Sequence, residues 1–175
     1  MRTTSWSRRF AKRVISPLAA RRAQIKLIKQ GANMFEIAWL AGLLDGRGVV
    51  EVGRYYPKGK CKILPDISID FNVQHKDVAE HASVLMGGVT KRIKGGPRIL
   101  AFVRGWAKVA ALAEAIDQMV KDPVKACRLA TIARRARKPN PSVSTDEEKR
   151  APLDKLSEVF FPDCPRPLRA YLTKD

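Results

Sequence analysis

Residues 34–44 are apolar almost all the way round a helical wheel, with no proline and no β-branched run. The stretch predicts a helix, and a helix without a polar face is buried on more than one side. Whatever the rest of the chain forms must pack around it. Gly46 and Gly48 break the pattern. Residues 49–56 then alternate loosely as a strand, and Pro57-Lys58-Gly59-Lys60 reads as a turn. Ile67, Ile69, Phe71 and Val73 alternate with Ser68, Asp70, Asn72 and Gln74, the period-two signature of a strand with one buried face. Residues 77–86 predict a helix stopped by Gly87-Gly88, and residues 89–94 and 99–104 predict a hairpin about Gly95-Gly96-Pro97. An Ala-rich helix over 106–120 and a last helix over 123–137, opened by Pro123, complete an α-β-β-α-β-β-α-α order. The fold class is α+β.

The charge is unbalanced and unevenly placed. Against 17 Asp and Glu stand 34 Lys and Arg, a net +17. Such a chain repels itself unless a polyanion neutralises it, so nucleic acid is the leading partner and an acidic membrane surface the weaker one. No apolar run reaches the roughly 18 residues that a membrane span needs. Residues 1–138 hold 28 basic and 10 acidic side chains, and residues 139–175 hold 6 and 7. The polyanion is therefore expected on the first part, and another task for the last.

Three segments follow. Residues 1–33 form a basic N-terminal arm or a targeting segment: the first 35 residues contain nine Lys and Arg and no acid. Arg8, Arg9, Lys12, Arg13, Arg21 and Arg22 are its candidate nucleic-acid contacts, on an arm that orders itself on RNA. The same composition suits a mitochondrial or plastid targeting segment. Residues 34–138 form the compact domain. Residues 139–175 form a linker, a short helix through residue 161 and a Pro-rich, extended end with Pro162, Pro165 and Pro167. Ser144 and Glu147 have capping-box spacing for that helix, with Pro152 inside it. Cys61, Cys127 and Cys164 are odd in number and far apart, with no CxxC and no histidine close to any of them in sequence. They support neither a disulfide framework nor a zinc site and read as buried or incidental thiols.

Leu40-Ala41-Gly42-Leu43-Leu44-Asp45-Gly46-Arg47-Gly48 resembles the LAGLIDADG motif of homing endonucleases. Val49-Val50-Glu51-Val52 stands where that family's first strand follows the motif, and the stretch from Phe71 to Asp77 resembles the end of its second strand. The resemblance covers residues 34–138 and implies a single αββαββα domain whose sheet forms a saddle over a duplex. It also implies that two motif helices pack together, with Ala41 and Gly42 allowing close approach, and that an acid at each helix foot holds a divalent metal. This chain departs at the eighth motif position, where Arg47 replaces the acid. A guanidinium stays protonated and cannot accept a metal. Asp45, at the sixth position, has a structural role in the family, and Pro123 falls near where active members carry a base. No catalytic residue is assigned to the degenerate set Leu40, Ala41, Gly42, Asp45, Arg47 and Gly48.

What remains is a surface for binding. Lys58, Lys60 and Lys62 lie in the first hairpin, and Lys91, Arg92, Lys94, Arg98 and Arg104 in the second. Arg134, Arg135 and Arg137 add a third cluster near Arg128 and Lys138. Arg47 itself either touches a phosphate or pairs with an acid such as Glu36. The expected function is a catalytically inactive, RNA-binding relative of the homing endonucleases: an rRNA-binding component of an organellar, mitochondrial or plastid, ribosome beside other ribosomal proteins. The alternatives are an intron-splicing, maturase-like cofactor and an active homodimeric DNA endonuclease. No cofactor is expected, Mg only in the endonuclease case. A homodimer would form through the helix bearing Leu40–Leu44.

Overall fold

The computed structural model describes residues 33–116, 118–138 and 144–165. The arm residues Arg8, Arg9, Lys12, Arg13, Arg21 and Arg22, most of the linker, and Pro167 lie outside them. Helix α1 (Met34–Arg47) opens with a capping box between Asn33 and Glu36. It runs through Gly46 and stops at Gly48, where an added Cβ would lie 2.7 Å from the Leu44 backbone. Glycine there lets strand β1 (Gly48–Tyr55) leave the helix at once. A 3-10 turn joins β1 to β2 (Lys62–Asn72), which begins earlier than the alternation suggested and carries Pro65. Helix α2 (Lys76–Leu85) ends at Gly87, whose φ of 64° suits glycine. Strands β3 (Val89–Arg92) and β4 (Arg98–Arg104), then helices α3 (Trp106–Ile116) and α4 (Pro123–Ala136), complete the expected order.

The sheet is antiparallel in the order β1-β2-β4-β3. Its period-two faces divide cleanly. Val50, Val52, Ile63, Ile67, Ile69, Phe71, Ile99, Ala101 and Val103 are buried under the helices. The register places Val49, Glu51, Lys62, Asp66, Ser68, Asp70, Lys91, Arg98, Phe102 and Arg104 on the opposite, open face.

Helix α1 corrects one expectation. It is buried on one side only, through Ile37, Leu40, Ala41 and Leu44. Phe35 (88 % exposed), Ala38, Trp39, Gly42 and Gly46 line the other side. Ala41, read as a small residue for a partner helix, instead packs in the chain's own core.

The C-terminal segment differs in two ways. The helix expected there is two, α5 (Asp146–Arg150) and α6 (Leu156–Phe160), parted around Pro152, which cannot donate to a helical ladder. Its capping box is Thr145–Glu148, one residue beyond the pair read from the sequence. Leu156, Phe160 and Phe161 join the main core. Cys127 and Cys164, read as separate thiols, form a disulfide that ties this segment to α4, with Cα atoms 5.5 Å apart. Cys61 is free. Among the described residues no helix is long and apolar enough to cross a membrane.

Candidate nucleic-acid interface

The foot of α1 is where the motif converges. Asp45 does not face outward. Its Oδ2 accepts from the Lys121 backbone N–H at 2.7 Å and its Oδ1 from that of Asp122 at 3.0 Å. Asp122 in turn caps α4 by accepting from the N–H groups of Val124 and Lys125. The Lys125 ammonium returns to α1 and donates to the carbonyls of Leu44 at 2.9 Å and Asp45 at 2.5 Å. A cation at this helix end answers its negative dipole and adds a donor to its last carbonyls. Asp45 thus forms a joint between two helices.

Arg47 is exposed and makes no hydrogen bond or ion pair with another described residue. The partner considered for it, Glu36, lies at the other end of α1 and meets His81 at 3.3 Å instead. Arg47 borders an open hollow of about 390 Å³ with Asp70, Phe71, Asn72 and Arg98. The residues here do not fit a divalent metal. The eighth motif position holds a guanidinium, both Asp45 oxygens are taken by backbone N–H groups, and Asp70 pairs with Arg98 through Oδ2.

The basic candidates separate into two groups. Lys58, Lys60, Lys62, Lys91, Arg92, Lys94 and Arg134 are exposed and have no acidic partner among the described residues. Arg98, Arg104, Arg135 and Arg137 are each paired with an acid within the chain. Arg98 pairs with Asp70, Arg104 with Asp66 at 3.0 Å, Arg135 with Glu148 at 2.5 Å and Arg137 with Glu114 at 2.8 Å. Arg135 also stacks 4.0 Å over Phe160. Arg128 is drawn inward to the Val50 carbonyl at 2.8 Å, and burial lowers its pKa.

The open face therefore carries little unneutralised charge. Glu51, Asp66 and Asp70 lie among Lys62, Lys91, Arg98 and Arg104. Tyr55 donates to Asp66 at 3.0 Å beneath the Arg104 guanidinium, which sits 4.0 Å over its ring. Burial and the Asp66 charge beside it push the Tyr55 hydroxyl up to about 12. Burial also raises Glu51, with Asp66 adding to it. The free charge gathers instead at the tips of the two hairpins. A second hollow there, of about 700 Å³, is bordered by Arg92, Lys94 and Gly95-Gly96-Pro97. His75 is exposed at the start of α2 and caps nothing with its side chain. Reading the sequence missed Arg54, which donates to the Glu148 carbonyl at 2.8 Å and to that of Ala151, and Lys125. Neither stands in a pattern that marks it.

No sequence family matches the chain, and no curated protein sequence does. Solved structures do. The homing endonuclease I-CvuI, in complex with its target, aligns at a TM-score of 0.58 and 14 % identity over 77 % of this chain and 87 % of that one. I-SmaMI, a LAGLIDADG homing endonuclease bound to cleaved DNA, aligns at a TM-score of 0.50 and 14 % identity over 57 % of this chain and 35 % of its own. The same meganuclease bound to uncleaveable DNA reaches 0.51 at 15 % identity, over 59 % and 37 %. The domain from α1 to α4 has the LAGLIDADG homing-endonuclease fold. At these identities the likeness is one of architecture, and what the chain does rests on its own residues.

Proposed function

We propose that this chain binds nucleic acid without cutting it, and that its polyanion is RNA: rRNA in an organellar, mitochondrial ribosome, beside other ribosomal proteins. One observation carries the reading. The position that would bring an acid to the foot of α1 brings the Arg47 guanidinium, unpaired among the described residues, while Asp45 is held as a helix joint. Binding survives such a change and metal-assisted cleavage does not. The net charge of +17, the acid-free first 35 residues and the free bases at both hairpin tips support a phosphate-gripping surface. A-form RNA is held by shape and phosphate, which such a fringe suits.

The test is sedimentation of the tagged full chain from native lysate, with crosslinking and sequencing of its RNA. Travel with a ribosomal subunit and crosslinks through the arm and hairpins support the reading. Retention at the top of the gradient with intron RNA moves it to a splicing cofactor. Mg-dependent cutting of duplex DNA by the purified chain refutes it in favour of an endonuclease.

A second reading concerns assembly. A Cβ at Gly42 or Gly46 would meet nothing within 4 Å, so the chain's own fold does not require glycine at either. Glycine inside a helix costs about 1 kcal/mol relative to alanine. Their place on the outer side of α1 with Ala38 suits close approach by a second copy of this helix. Equilibrium sedimentation of the wild type and of Gly42→Leu checks this: a dimer disrupted by the larger side chain is expected.

A further inference from the structure

We infer that the hollow at the foot of α1 seats a phosphodiester of a nucleic-acid backbone without a metal, gripped by the Arg47 guanidinium and the Asn72 amide. This rests on the nucleic-acid reading above and names a place for it.

The argument begins with donors and acceptors. Arg47 has five N–H donors and no partner among the described residues. Asn72 accepts from the Gln74 N–H through Oδ1 at 3.0 Å, so its amide nitrogen keeps both donors. Arg98 is held in place by Asp70 Oδ2. The acceptor left on this wall is Asp70 Oδ1, which is buried without a hydrogen-bond partner. That oxygen makes no hydrogen bond with Arg47 or Asn72, so both keep their donors for a ligand. A phosphate group supplies the missing acceptors and charge, and a bidentate guanidinium suits it.

Two further observations favour the seat. The carbonyl end of α1 would repel an anion, but the Lys125 ammonium already lies on the Leu44 and Asp45 carbonyls. The hollow is also bordered by the chain neighbours of residues that border the second one. Asn72 and Arg98 face each other in the sheet, and their chain neighbours Val73 and Pro97 border the hollow that holds Arg92 and Lys94. A track of positive charge from Arg47 to the hairpin tip fits successive phosphates of one strand better than a lone ion.

The experiment is fluorescence anisotropy of the full chain with a labelled RNA duplex and the DNA duplex of the same sequence, in EDTA, over a range of KCl. The wild type is expected to bind in EDTA. Arg47→Ala is expected to weaken binding severalfold whatever the base sequence. It should also lower the slope of log affinity against log salt by about 0.9 on DNA, the mark of one lost phosphate contact. Arg47→Glu is expected to bind more weakly still, and Arg47→Lys to keep the charge but lose part of the affinity. The larger loss on RNA or on DNA tells which backbone the seat fits. Arg47 is exposed, so the thermal midpoints should agree and exclude misfolding. Wild-type affinity and slope in Arg47→Ala would overturn the seat while leaving nucleic-acid binding intact, as would wild-type binding that vanishes in EDTA and returns with Mg. A wild type that binds neither duplex refutes the underlying function and the seat with it.

Discussion

Tyr55, Asp66 and Arg104 form a closed set on the open face of the sheet. The phenol donates to Asp66, and Arg104 both pairs with that carboxylate and covers the ring. Because the folded Tyr55 hydroxyl is pushed from 10.0 to about 12, its contribution to stability is fully present below pH 10 and lost as pH rises toward 12. Ultraviolet titration should show one tyrosine ionising near pH 12. In Asp66→Asn that ionisation should fall only part of the way back, because burial is the larger cause. An unshifted tyrosine in the wild type would refute the set. The pairing was not legible in the sequence. Arg104 and Asp66 are 38 residues apart, and Arg98 and Asp70 are 28 apart. A count of charges registers all four, but only the register of β2 against β4 brings them together. Arg47 was legible, because its meaning lies in its place within a motif.

Helix α1 and helix α4 meet through one carboxylate and one ammonium. Asp45 holds the backbone entering α4, and Lys125 holds the carbonyls leaving α1. Asp45→Ala should therefore destabilise the fold by about 1 kcal/mol, as loss of a helix cap does, with Asp45→Asn intermediate. Chemical denaturation measures this, and an unchanged midpoint in Asp45→Ala would remove the joint. The order and type of the elements from α1 to α4 could be read from the sequence because most keep one period and several are closed by Gly or Pro, as at Gly48, Gly87 and Gly105. Boundaries were less secure where a stop signal was weak: Gly46 lies inside the last turn of α1, and β2 starts at Lys62 despite Pro65. The exposed side of α1 was misread for a physical reason. Phe35 and Trp39 are as apolar as Ile37 and Leu40, and periodicity cannot tell a side buried by the chain from one left open.

The molecule is one α+β domain whose C-terminal segment is fastened to α4 and to the main core. Arg135 carries much of that fastening: its guanidinium grips Glu148, whose side chain is 5 % exposed, and rests on Phe160. Arg135→Ala should cost about 3 kcal/mol, since it strands a buried carboxylate. Thermal unfolding checks this, and a shift no larger than that of an exposed control such as Lys155→Ala would show that the pair does not hold the segment. Nothing in the spacing of the cysteines announced the bond between Cys127 and Cys164. Their proximity comes from Leu156, Phe160 and Phe161 entering the core, a long-range event that local patterns do not encode.

That bond also makes a covalent ring of everything from residue 127 to residue 164, the connection at 139–143 included. A protease cut inside the ring should leave both fragments migrating as one species on a non-reducing gel and as two after dithiothreitol. The chain can thus be nicked between α4 and its C-terminal segment and still remain one molecule.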